Sequence, residues 1–137
     1  MRKPIVAAAL AALALAGCGS GGGDEAEPDP GSGQTKLSIA YRETPNADPV
    51  IEKIDCVRGR DERACRAAGA VPVETWQPVP PDTACTEIYG GPETARIVGT
   101  VGGQGVDADF SRVNGCEIER WDSVSFLLEA TGLTGAG

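Results

Sequence analysis

The stretch Leu37-Ser38-Ile39-Ala40-Tyr41 alternates large apolar with small or polar residues, which predicts a strand with Leu37, Ile39 and Tyr41 on one face. Val50 to Val57 (VIEKIDCV) reads as a second strand with a less regular pattern. Asp61 to Gly69 (DERACRAAG) opens on acids, runs through helix formers and closes on glycine, so it predicts a short helix that carries Cys65. Val71 to Ala84 holds Pro72, Pro78, Pro80 and Pro81 and is expected to be irregular, with Trp76 as a core plug. Thr94 to Val101 and Val106 to Val113 flank Gly102-Gly103-Gln104-Gly105, the pattern of a hairpin. Trp121 to Leu128 (WDSVSFLL) predicts a last strand, and Gly132 to Gly137 a frayed tail. The expected class is α+β: an antiparallel sheet of about five strands with one or two short helices packed on it.

The chain begins differently. Arg2 and Lys3 precede an unbroken apolar run from Ile5 to Ala16. A spanning helix needs about 20 apolar residues, and this run has instead the length of a signal-peptide core. Its end, Leu15-Ala16-Gly17-Cys18, resembles the lipobox of bacterial lipoproteins, in which the cysteine is lipidated and becomes the first mature residue. The resemblance implies a leader over 1–17, lipid on Cys18, and an anchor at the extracellular face of the cell membrane after export. Two acyl chains on one thioether-linked glycerol meet the two-signal requirement for stable anchoring. Residues 19–34 (GSGGGDEAEPDPGSGQ) contain no large apolar residue and read as a tether, with an r.m.s. span of roughly 20–24 Å. The folded domain is then expected over 35–137, without internal repeats.

Charge narrows the partners. The chain of 137 residues carries 20 acidic and 12 basic residues, a formal net charge of −8. Loss of Arg2 and Lys3 with a leader would deepen that balance, which argues against nucleic acid and against electrostatic docking on anionic lipid. With Cys18 assigned to lipid, Cys56, Cys65, Cys85 and Cys116 remain, an even number that reads as two disulfides. Three connectivities satisfy the count, and sequence-neighbour pairing, Cys56–Cys65 with Cys85–Cys116, is the one adopted. Closing those two loops stabilises by roughly 2.7 and 3.7 kcal/mol in the chain-entropy model. The spacings lack paired Cys-x-x-Cys knuckles, so no zinc or other metal is expected.

Histidine is absent, which excludes Ser-His-Asp and Cys-His catalysis. The glycine turn at 102–105 lacks the GK[ST] end of a phosphate loop. Asp107 and Asp109 share one face of a strand, a pairing that an acidic chain produces by chance. An enzyme is therefore not expected, no cofactor is implied, and a binding module is.

From Cys56 onward, one order of elements stands out. A strand ends at Cys56, Ala64-Cys65-Arg66-Ala67 follows on a short helix, and Cys85-Thr86-Glu87-Ile88-Tyr89 precedes the hairpin Ala95–Val113. Asn114-Gly115-Cys116-Glu117 and Ser123-Val124-Ser125-Phe126 complete the series. This order resembles the Streptomyces subtilisin inhibitor-like family of serine protease inhibitors, over roughly residues 36 to 128. The resemblance implies a substrate-like reactive loop, Cys85 to Tyr89, with the scissile bond between Glu87 and Ile88. It places Glu87 in the primary specificity pocket of a subtilisin-like protease, and Asn114 as a hydrogen-bonding support for the loop backbone. Homodimers formed through the sheet are usual in the family, and the expectation extends to this chain.

Two departures bear on function. Glu87 stands where the family often has Met, Lys or Arg, so a target with a basic, glutamate-preferring pocket fits best. Gly90-Gly91-Pro92 is one residue longer than the family's turn, and the first disulfide loop and the region before Cys85 are shorter. The alternative reading is a non-inhibitory cell-surface lipoprotein that keeps the fold as a protein-binding or structural module.

Overall fold

The computed structural model describes residues 34–59 and 61–134. The expected leader, the lipidation site at Cys18 and the tether as far as residue 33 lie outside the described residues.

Strands β1 (Lys36–Arg42), β2 (Val50–Asp55), β3 (Thr94–Val101) and β4 (Gln104–Phe110) form one antiparallel sheet in the order β2-β1-β3-β4. Register aligns Leu37 with Ile54 and Gly99, and Ile39 with Ile97, which in turn faces Ala108. The period of two then gathers Leu37, Ile39, Ile54, Ala95, Ile97, Val106, Ala108 and Phe110 on a single face, and all are buried. Val101 pairs with Gln104, so Gly102-Gly103 is a two-residue turn tighter than the four residues expected. Its φ angles of 57° and 81° are the left-handed pair that a strand-compatible hairpin turn requires. β4 stops at Phe110, and Ser111 to Val113 belong to the connection that follows.

Helix α1 (Glu62–Ala70) starts where Asp61 accepts a hydrogen bond from the Ala64 N–H at 3.0 Å. It runs one residue past Gly69 and ends at Val71, which is extended because Pro72 follows. A short 3-10 turn, Val73–Trp76, sets the Trp76 ring edge-on to Phe110 with centroids 6.1 Å apart. Trp76 is thus the core plug that the sequence suggested.

The chain's last element is a helix and not the expected fifth strand. Helix α2 spans Gly115–Ala130. Asn114 caps it by accepting from the Glu117 N–H at 2.9 Å, and neither Gly nor Pro interrupts Cys116 to Ala130. Trp121, Val124, Leu127 and Leu128 recur at helical spacing and bury one stripe, whereas the alternation Val124-Phe126-Leu128 leaves Phe126 half exposed. Thr131 caps the C-terminal end. The Gly132 and Leu133 N–H groups donate to the Glu129 and Leu128 carbonyls at 3.0 and 3.1 Å, and Leu133 is buried. The start of the expected tail is therefore part of the core.

Both helices cover the apolar face of the sheet, with Cys56–Cys65 tying the end of β2 to α1 and Cys85–Cys116 tying the 85–93 segment to α2. Among the described residues the class is α+β, with four strands, two helices and the two disulfides adopted above. The helical assignment of α2 predicts a reversal of roles between neighbours. Leu127→Ala should cost about 2–5 kcal/mol in urea unfolding, and Phe126→Ala less than about 1 kcal/mol. A strand would give the opposite order.

Candidate functional site

Between Pro81 and β3 the chain has neither helix nor strand, and Thr86, Glu87, Ile88 and Tyr89 are all exposed. Ile88 is 60 % and Tyr89 65 % accessible, so two adjacent large apolar side chains stand in solvent at the crown of the segment. The segment is nevertheless tied at both ends. On one side the Cys85–Cys116 disulfide, with Cα atoms 5.4 Å apart, holds it to the first turn of α2. The next carbonyl, that of Thr86, accepts from the Gly115 N–H at 2.9 Å. On the other side the Gly90 N–H donates to the Arg112 carbonyl at 2.7 Å. Residues 86 and 90 are thus both fixed to the strip Arg112–Gly115, and Glu87, Ile88 and Tyr89 arch over it with their side chains outward.

The strip owes its position to α2. Asn114 is extended (φ −156°, ψ 173°), and its side-chain oxygen is engaged with the Glu117 N–H. The hydrogen bond to the loop comes from its neighbour, Gly115. Asn114 therefore fixes the helix start from which the loop is held. A Cβ on Gly115 would collide with Thr86 Oγ1, so glycine there lets the loop lie this close with Thr86 in place. Deeper in, Arg120 ties α2 to its surroundings. Its guanidinium pairs with Glu117 at 2.7 Å, donates to the Asp109 and Thr75 carbonyls at 3.2 Å, and lies 4.8 Å from the Phe110 ring centroid.

Beyond Gly90 the arm runs through Gly91 and Pro92 to Glu93, whose carboxylate pairs with Arg112 at 3.2 Å. The Arg112 guanidinium in turn sits 6.0 Å from the Trp121 ring centroid, and Tyr41 packs on the other partner of that cluster, 6.4 Å from Trp121. Burial, the Glu93 carboxylate and then Glu43 push the Tyr41 phenol above its ordinary range, against a smaller opposing effect of Arg112.

Sequence reading found the loop and its disulfide but missed Arg112, Glu93, Gly115 and Arg120. Gly115 had a signal of a kind, a small residue between a cap and a cysteine. The pairing of Arg112 with Glu93, 19 residues apart, has none, because it depends on the path of the intervening hairpin. Asp107 and Asp109 are both ion-paired with Arg96, at 2.8 and 3.0 Å, across the exposed face of β3 and β4. No family model, curated protein or solved structure matches the chain.

Two measurements follow from this geometry. Gly115→Ala should lose the Thr86 hydrogen bond and about 0.5–1.5 kcal/mol of stability, part of which Thr86→Ala in the same chain restores by removing the clashing hydroxyl. The raised phenol means that the folded protein holds the Tyr41 proton more tightly than the unfolded chain does. Its contribution is complete below the ordinary value of 10.0 and lost as pH rises through the higher folded value. Urea midpoints should fall above about pH 10 in the parent protein, and that part of the fall should vanish in Tyr41→Phe.

Proposed function

We propose that this chain is an inhibitor of subtilisin-like serine endopeptidases, anchored by lipid on Cys18 at the extracellular face of the membrane, with Glu87–Ile88 as its reactive bond. The observation that carries the reading is the arch of Glu87, Ile88 and Tyr89, exposed at its crown and tied at Thr86 and Gly90. A flexible peptide entering a protease cleft loses roughly 1–2 kcal/mol of backbone entropy per residue ordered. Three residues ordered in advance save about 3–6 kcal/mol, on the order of a hundred-fold to ten-thousand-fold in affinity. Such a loop is bound as a substrate is bound, but more tightly.

The identity of the central residue selects the target. Burying an ionised carboxylate in an apolar pocket without a partner costs several kcal/mol, which cancels the gain from a pre-ordered loop. A basic group in the pocket removes that penalty through a charge-assisted hydrogen bond. The target is accordingly a glutamate-preferring protease. Thr86 precedes the bond with a β-branched side chain, stiff at χ1, and its carbonyl is already engaged.

Titrating the protein against a small panel of serine endopeptidases, with basic, apolar and broad specificity pockets, tests this directly. Stoichiometric inhibition of the glutamate-preferring member is expected, weakened at least about tenfold by Glu87→Pro or Thr86→Gly. Cleavage at many sites with no stable complex with any member would sink the proposal and leave the non-inhibitory surface module in its place.

A further inference from the structure

The two halves of the arch are held by different means, and the difference falls on either side of Glu87–Ile88. On the N-terminal side a covalent bond and the Thr86–Gly115 hydrogen bond act together. The C-terminal side has no disulfide, and it passes through Gly90-Gly91, the most freely rotating pair of residues the chain can use. Among the described residues, both of its polar attachments before β3 are made to one residue. The Arg112 carbonyl accepts from Gly90, and the Arg112 guanidinium holds the Glu93 carboxylate.

We propose that Glu93 and Arg112 are positioning residues that latch the C-terminal arm of the arch, so that scission at Glu87–Ile88 leaves both new ends in place. The proposal rests on the inhibitor reading above and extends it to residues that make no contact with the protease pocket. Arg112 is well suited to the task. Its backbone lies two residues beyond the buried end of β4 at Phe110 and two before the helix cap, Asn114, and its guanidinium is bracketed by Glu93 and Trp121. The two side chains are 31 % and 26 % accessible, so water screens the pair less than it screens an open surface pair. A Cβ at Gly91 would stand 2.1 Å from the Glu93 carboxylate, so a larger residue there would push that carboxylate off Arg112.

The chemistry gives the latch its role. The protease serine oxygen adds to the Glu87 carbonyl carbon, the C–N bond to Ile88 breaks, and the Ile88 nitrogen leaves as an amine with the proton delivered to it. If the arm stays in place, that amine attacks the acyl-enzyme ester, the peptide bond re-forms and the serine recovers its proton. If the arm swings away, water attacks instead and Glu87 departs as a free carboxylate.

Amide hydrogen exchange and inhibition, measured together on the protein and on Glu93→Gln and Arg112→Lys, test the latch. Glu93→Gln should speed exchange at Gly90 by roughly threefold to tenfold while Gly115 and the core amide of Ile97 stay unchanged, and Arg112→Lys, which keeps the cation opposite Glu93, should retain most of the parent's protection. Against a protease that the parent inhibits, Glu93→Gln should be cleaved faster by a similar factor with its association rate unaltered. Unchanged exchange at Gly90, or a uniform rise at all three amides, overturns the latch whether or not the protein inhibits. Selective exchange at Gly90 in a protein that inhibits nothing keeps the latch as a brace of the arm and overturns the inhibitor reading alone.

Discussion

The capped start of α2 is the point on which the rest of the molecule depends. Asn114 satisfies a donor of the helix's first turn, and from that fixed origin four consequences run in different directions. Gly115 offers its N–H to the loop, Cys116 makes the covalent tie, Arg120 reaches the end of β4 and the 3-10 turn, and Trp121 provides the surface under Arg112. A one-residue shift in the register of α2 would rotate its side chains by about 100° and lose all four at once. The site is in this sense an outgrowth of a helix end, with the sheet serving to hold the helix still.

That dependence also explains what the sequence made legible. The β1 alternation and the presence of the hairpin and of α1 are decided by residues within a few positions of each other and are as the pattern of the chain predicts, whereas the glycine stop at Gly69 and the four-residue turn are not. The segment Trp121–Leu128 was ambiguous because Val124, Phe126 and Leu128 satisfy a period of two while Trp121, Val124, Leu127 and Leu128 satisfy a helical one. The arbiter lay outside the segment, in the Asn114-x-x-Glu117 cap and the absence of any helix breaker from Cys116 to Ala130. Weight given to that signal would have replaced the fifth strand with a longer helix.

The candidate site divides along the same line. Cys85 to Tyr89 is contiguous, so its composition and its cysteine could be seen in one glance along the chain. Its supports are not contiguous. Glu93 and Arg112 meet because the whole β3–β4 hairpin lies between them, and Gly115 matters because Thr86 folds back onto it. Such contacts are products of the fold, with no local pattern to announce them.

The inward face of α1 is made of Ala64, Ala67 and Ala68, all essentially without access to solvent. Methyl groups are the thinnest packing a helix can offer, so its axis can settle close to what lies beneath. Closeness there has a geometric use: Cys65, on the next residue after Ala64, has its Cα 5.7 Å from that of Cys56 at the end of β2. A disulfide tolerates little variation in that distance. The three alanines therefore act as a gauge, setting by their small size the gap that the first cross-link has to close. A bulkier side chain at any of the three would crowd the core and lift the helix, and through the helix would strain the gap between the two cysteines.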